Sequence, residues 1–272
     1  MMLRLATCLT LSEPDPDAAP LEAALRDAGI DARWVAWDDP DADWTTPAPT
    51  LLRSTWNYPH QHERFLAWAD GVAGPLWNPP HIVRWNSHKR YLADLAARGV
   101  PVVPTLHVPR GGTAELPEGE LVIKPAVSAG SFGTRRFAAD ERESARAFLA
   151  EMSTERDMMV QPYLRSVEDH GERSLIWIDG VFTHSIRKSP RFSDGSEAIT
   201  GPFPLAADER AVAEAALAPY REQLLYARCD LARDAHGQPL IMELELIEPS
   251  LFFAQGPDAL SRLIRRFTLT PF

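Results

Sequence analysis

The sequence has 272 residues, a formal net charge of -10, and 45% hydrophobic and 24% charged residues, the composition of a globular chain that fills one large domain or two small ones. Its 28 basic residues against 38 acidic ones leave no broad cationic footprint for nucleic-acid phosphates, so nucleic acid is not an expected partner. Only three of the 28 are lysines, Lys89, Lys124 and Lys188; the rest are arginines.

Residues 3–10 form an apolar run that reads as a buried first strand. It lies at the short limit of a signal core and meets an acidic stretch, 13–17, with no small-residue cleavage site between. Helix 21–28 ends at Gly29, and a strand over 32–37, a strand over 50–54, helix 63–72 and a short strand at Leu76 and Trp77 follow. Strands alternating with helices of this length predict a parallel, doubly wound sheet, in which ligands gather beyond the carboxyl ends of the strands. Asn86 is the expected N-cap of a helix over 87–98 that Gly99 and Pro101 terminate.

The pattern then changes. Strands over 102–108, 120–124 and 135–137, a helix over 140–152 and a strand over 157–163 predict a small α+β lobe. A hairpin of 174–178 and 181–187 turns through Asp179-Gly180. After a helix from about Asp208, strands 226–234 and 240–247 flank a His236-Gly237 turn, and a helix over 258–267 closes the chain. No stretch approaches the roughly 20 apolar residues of a spanning helix, so no membrane partner is expected. Two cysteines, Cys8 and Cys229, form neither a disulfide framework nor a zinc spacing, which predicts a cytoplasmic protein.

Three carboxylates fall together if the last hairpin forms. Asp230 is on one strand, and Glu243 and Glu245, two apart on its neighbour, share a face. Hard oxygens so placed suit Mg²⁺, and a solvated acidic face fits the same pattern. Lys124 closes an apolar strand and leads into a loop of small residues, Ser128, Ala129, Gly130, Ser131, Phe132 and Gly133. Backbone N–H groups in such a loop can meet phosphate oxygens while the ammonium supplies a compact charge, and an ordinary hairpin loop is the competing reading. Arg53 closes a strand of the first domain, where a guanidinium can clamp a carboxylate, with Ser54 beside it and Trp56 and Tyr58 as pocket walls or interdomain packing. Arg187 and Lys188 leave the hairpin toward the site or toward solvent.

The order of these segments resembles the ATP-grasp superfamily. They are a lysine on a helix, a lysine closing a strand, a glycine-rich loop, a strand ending in Gln161-Pro162-Tyr163-Leu164, and a carboxylate hairpin. Glu168 stands seven residues after Gln161, as a ribose-binding glutamate does in such enzymes, and Arg228-Cys229-Asp230 precedes Glu243 at the matching interval. Glu245 stands where the superfamily usually has asparagine. Arg53-Ser54-Thr55-Trp56-Asn57-Tyr58-Pro59, Asn78-Pro79-Pro80, Arg84-Trp85-Asn86 and Gly171-Glu172-Arg173-Ser174 look like a narrower bacterial branch that includes cycloserine synthetase, an O-ureido-D-serine cyclo-ligase, with glutathione synthetase and RimK-type ligases more distant.

The resemblance implies an ATP-grasp fold of two α+β lobes (87–160 and 161–272) preceded by a Rossmann-like domain (1–86). It implies ATP as cofactor with Mg²⁺, or alternatively Mn²⁺, and a small amino-acid-like substrate, and it leaves a homodimer open. By it, Lys89 and Lys124 hold the phosphates, the loop with Ser128, Gly130, Ser131 and Gly133 closes over them, Gln161, Tyr163 and Leu164 receive adenine, and Glu168 receives ribose. Asp230, Glu243 and Glu245 carry metal. Arg228, Arg173 and Lys188 neutralise the transferring phosphoryl group, and Arg53, Ser54, Trp56, Tyr58 and Arg187 face the substrate. The implied reaction is ligation through an acyl phosphate to nitrogen, intramolecular or intermolecular, releasing ADP and phosphate. A catalytically silent ATP-binding sensor and a small-molecule kinase are the alternatives.

Overall fold

The computed structural model describes residues 2–130, 132–189 and 198–269. The chain opens with β1 (Leu3–Thr7), α1 (Ala18–Asp27), β2 (Ala32–Ala36), β3 (Thr50–Leu52), α2 (His62–Gly71) and β4 (Leu76–Trp77). The four strands make one parallel sheet in the order β2-β1-β3-β4, the arrangement that the strand and helix alternation predicts. Helix α1 turns Leu21 and Leu25, one helical turn apart, onto the buried Leu3, Leu5 and Leu51.

Next come α3 (Pro80–Asn86), α4 (Tyr91–Ala97), β5 (Leu106–Val108), β6 (Leu121–Pro125), β7 (Arg135–Phe137), α5 (Arg142–Ser153) and β8 (Met158–Pro162). The strands form an antiparallel sheet, β5-β8-β6-β7, with its own core of Val108, Leu121, Ile123, Phe137, Leu149 and Val160. Two expectations are corrected here. The helix over 87–98 shortens to α4, and the unpredicted α3 precedes it; one continuous helix would need the Lys89 N–H to bond back to residue 85, whereas it donates to Ala126 O at 2.7 Å. Lys89 therefore sits in the break between α3 and α4, and Asn86 ends α3 instead of capping a helix. The strand over 102–108 shrinks to β5, since Pro104 has no N–H to give a ladder; Val102 makes only an isolated bridge to Ile241.

The remainder is α6 (Ser166–Asp169), β9 (Glu172–Ile178), β10 (Val181–Lys188), β11 (Ile199–Phe203), α7 (Ala207–Leu217), β12 (Tyr226–Arg233), β13 (Pro239–Glu245) and α8 (Pro257–Leu269). These strands build an antiparallel sheet, β11-β10-β9-β12-β13. The predicted hairpin turn is present, with Asp179 and Gly180 both at positive φ (42° and 99°), as a two-residue turn of this hand requires. Strand β11 and helix α6 were not expected. The former carries Gly201 and Pro202, residues that read as loop but are tolerated on an exposed edge strand. Helix α8 buries Ala259, Leu263 and Phe267, spaced four apart, against this sheet and α1. Among the described residues no helix is long and apolar enough to cross a membrane.

Two asparagines, Asn78 just after β4 and Asn86 at the end of α3, fasten the preceding chain to the hairpin sheet. Asn78 donates to Tyr226 O (3.0 Å) and Leu246 O (2.7 Å) and accepts from Leu225 N (2.8 Å). Asn86 donates to Leu244 O (2.7 Å) and accepts from Leu246 N (2.8 Å). The flank of β13 is thereby held by side chains where another strand would otherwise pair. Replacing the fully buried Asn78 with alanine strands three backbone groups. Asn78→Ala should cost about 3 kcal/mol of unfolding free energy in urea titrations, and a loss below about 0.5 kcal/mol contradicts the clasp.

Candidate active site

Strand register decides which side chains share a face. Asp230 is opposite Glu243 on β13 and opposite Ser174 on β9, Arg228 is opposite Glu245, and Lys188 on β10 is opposite Glu172. Side chains two apart on a strand point the same way, so Glu172, Ser174, Lys188, Arg228, Asp230, Glu243 and Glu245 rise from one face of the hairpin sheet. The predicted carboxylate trio therefore comes together, and Glu172, which sequence reasoning passed over, joins it. Alternation carried through the turn would set Lys188 against Gly171; a bulge between Phe182 and His184 shifts the register by one and brings it opposite Glu172, which is why sequence alone misses that residue.

All three lysines of the chain are buried in this site, each 7% exposed. Lys124, from the end of β6, donates to Glu243 Oε1 at 2.5 Å, and Lys89 stands 3.9 Å from Glu243 Oε2 while donating to Ser128 O (2.8 Å) and Ser128 Oγ (3.0 Å). Lys188 pairs with Asp230 at 2.9 Å and also with Glu172. Arg228 grips Asp230 with two nitrogens (Nε to Oδ1 2.9 Å, Nη2 to Oδ2 2.8 Å) and pairs with Glu245.

The charge states follow. Burial alone would push the Glu243 carboxyl up, but Lys124 and Lys89 overcome it and bring it down to about 2. Burial likewise opposes ionisation of Asp230, and Arg228 and Lys188 hold it well below the usual carboxylate range. Glu172 is raised by burial to about 7 despite Lys188, and Glu245 is raised by burial despite Arg228. Glu248, past the end of β13, is pushed up to about 8 by burial and then by Glu245. Asp230 and Glu243 are thus held ionised, and with Glu245 they offer hard oxygens of the kind that fit a divalent cation. Among the described residues no three ligating side chains form a ready-made cage; Mg²⁺ is commonly held by one or two carboxylates plus substrate phosphates.

The other predicted residues divide. Gly130 and Gly133 adopt positive φ (58° and 67°) in the turn after β6, while Ser131 lies outside the described residues. Gln161 is on β8 with its amide on Thr105 Oγ1 (2.9 Å), and Leu164 O accepts from Val167 N–H. Tyr163 donates its hydroxyl to Glu168 (3.0 Å), and Arg136, unforeseen from sequence, bonds Glu168 (3.0 Å) and Glu120 (2.8 Å) from above the Tyr163 ring. A cleft of about 430 Å³ bordered by Tyr163, Leu164, Arg165 and Arg233 opens beyond the end of β8, and no residue of the carboxylate face lines it.

Four of the expected residues lie away from the carboxylate face. Arg173 is opposite Leu231 and thus on the reverse face of the sheet, where it donates to Ser185 Oγ (2.6 Å) and Pro204 O (3.2 Å) and lies 3.6 Å from Glu209. Arg187 shares that reverse face and donates to Asp169 O (2.6 Å). Arg53 is 1% exposed, bound to Asp17 (3.4 Å) and Pro249 O (3.1 Å), and so is enclosed instead of open to a substrate. Tyr58 is stacked on Phe65 in the N-terminal core. Ser54 bonds Thr7 Oγ1 (3.0 Å), and Trp56, half-buried, donates to Glu248 O (3.1 Å).

A family model described as the N-terminal domain of D-cycloserine synthetase DcsG matches residues 3–78. The cycloserine biosynthesis protein DcsG of Streptomyces lavendulae is 37% identical over 273 residues, covering 91% of this chain and 91% of that one. The chain belongs to the DcsG family of ATP-grasp ligases. Like DcsG it is an ATP-dependent carbon–nitrogen ligase. The crystal structure of D-cycloserine synthetase DcsG matches it with a TM-score of 0.88 at 33% identity over 99% of each chain. A D-alanine–D-alanine ligase from Bacillus anthracis complexed with ATP shares the fold at a TM-score of 0.70 and 17% identity, covering 99% of this chain and 97% of that one.

The Lys124–Glu243 pair yields a pH-dependent expectation. A depressed carboxyl adds stability above its unfolded pKa, near 4.5, and loses it as pH falls toward about 2. Lys124→Met should therefore destabilise the protein by about 2 kcal/mol at pH 7, and the difference from wild type should shrink between pH 5 and pH 3. Urea unfolding across that range checks the sign; a penalty that grows on acidification contradicts the pairing.

Proposed function

We propose that this DcsG-family protein uses ATP and Mg²⁺ to phosphorylate the carboxylate of a small amino-acid-like substrate, and that a nitrogen nucleophile then displaces phosphate from the acyl phosphate. The observation supporting it is the gathering of Lys89, Lys124, Lys188 and Arg228 on the Asp230, Glu243 and Glu245 face. Cations and hard oxygens alternating in one buried site complement a polyphosphate bound with metal.

In this reading the lysines exchange partners. Lys89 and Lys124 move from Glu243 to the α- and β-phosphates, and Glu243 is released with Asp230 and Glu245 to hold the metal. Bound Mg²⁺ supplies Lewis-acid stabilisation of phosphate charge. Arg228 and Lys188 face the γ-phosphoryl group, so its developing charge meets fixed cations with no side-chain nucleophile required. Ser128 and the glycines at 130 and 133 close over the phosphates, the backbone at Gln161 and Leu164 with the Tyr163 ring receives adenine, and Glu168 receives ribose after giving up Arg136. Trp56 borders the substrate. The nitrogen attack is intramolecular if the substrate resembles that of D-cycloserine synthetase, and otherwise forms an amide between two molecules.

Incubation with ATP, Mg²⁺ and a panel of amino acids including O-ureido-D-serine should release ADP and phosphate. Release of AMP and pyrophosphate contradicts the acyl-phosphate route, and a phosphorylated product that accumulates without a nitrogen nucleophile indicates a kinase. Glu243→Gln should lower turnover by at least about 100-fold with the far-ultraviolet circular dichroism unchanged; full activity in this variant removes Glu243 from the metal site.

A further inference from the structure

The carboxylates around the site are paired with protein cations with one exception. Glu172 has Lys188, Asp230 has Arg228 and Lys188, Glu243 has Lys124 and Lys89, and Glu245 has Arg228. Glu248, half-buried and three residues beyond Glu245, has no cation within ion-pair distance among the described residues. It is nonetheless close enough to Lys89, Arg228 and Glu245 for their charges to act on it. A carboxylate this far from water is costly without a partner.

Its location is fixed by neighbours. Trp56 Nε1 donates to Glu248 O at 3.1 Å, and Arg53 Nη2 to Pro249 O at 3.1 Å. Buried Asp17 accepts from the backbone of Leu251, of Phe252 (3.2 Å) and of Phe253 (2.9 Å). The parallel sheet thus clamps the segment after β13 with residues at the carboxyl end of β3, the side of such a sheet where ligands collect. The result is a carboxyl group held by its backbone between the phosphate-directed cations and the first domain, with no cation of its own among the described residues.

We propose that Glu248 is a specificity-determining residue that receives the ammonium group of the amino-acid-like substrate. This rests on the ligase reading and deepens it. An ammonium carries three donors and no acceptor, and a carboxylate only acceptors. Holding that group near Trp56 would align the substrate carboxylate toward the γ-phosphoryl position, an orientation effect distinct from phosphate binding.

The test compares wild type with Glu248→Gln, which keeps size and shape, and Glu248→Asp, which keeps charge. The probes are O-ureido-D-serine and 3-(ureidooxy)propanoate, identical except that hydrogen replaces the ammonium; the nitrogens of the ureido group are present in both. Wild type should favour the amino compound in kcat/KM. Glu248→Gln should raise KM for it by roughly 10- to 100-fold and erase most of the preference, with Glu248→Asp intermediate and KM for ATP close to wild type in both. An equal preference in wild type and Glu248→Gln, or a fall in kcat at unchanged KM, overturns the role of Glu248 alone. Failure of wild type to release ADP with either compound or any amino acid overturns the ligase reading and this assignment with it.

Discussion

A carboxylate withdrawn from water needs a cation withdrawn with it, and the arrangement of the lobes follows from that requirement. The hairpin sheet supplies Glu172, Asp230, Glu243 and Glu245 from one face but only Lys188 and Arg228 to match them. The remaining positive charge arrives from elsewhere: Lys124 from the small lobe, 119 residues distant in sequence from Glu243, and Lys89 from the break between α3 and α4. Ion pairing therefore draws three parts of the chain onto one point.

The parallel sheet contributes through backbone grips more than through reactive groups. Asn78 and Asn86 fasten β13 along its flank, the Tyr226 hydroxyl lies within hydrogen-bonding distance of Leu52 O, Trp77 O and Ile247 O, and Asp17 with Arg53 fixes the chain beyond Glu248. Ser250 O in that segment accepts from Arg228 Nη1, and the Phe252 ring lies beneath the same guanidinium. The buried Asp17–Arg53 pair thus fixes the segment against which Arg228 stands. Arg53 reads as a ligand clamp in the sequence because it ends a strand at the crevice. In the fold its charge is spent on Asp17.

What sequence revealed and hid follows the range of each signal. Period-two spacing carried Glu243, Glu245 and Asp230 to one face, and the Asp179-Gly180 turn fixed the hairpin, because both depend on residues close in the chain. The resemblance of the ordered motifs identified the superfamily and its branch. The same alternation, applied to β9 and β10, separates Glu172 and Lys188 from Arg173 and Arg187, but only once the register across the turn is known. Lys89 looked helical because Asn86, an excellent cap by type, precedes it; the amide is used instead on a strand 158 residues away. Glu248 had no local signal at all. Its isolation from cations arises from burial and from which neighbours are already paired.

The scarcity of lysine has a practical side. With every lysine ammonium enclosed in one site and 7% exposed, the outer surface of the described chain carries its positive charge on guanidinium groups, which common acylating reagents leave untouched. The only ε-amines of the sequence are the three enclosed among the site's carboxylates. Acylation of lysine by an amine-directed label thus becomes a clock for the opening of that one site.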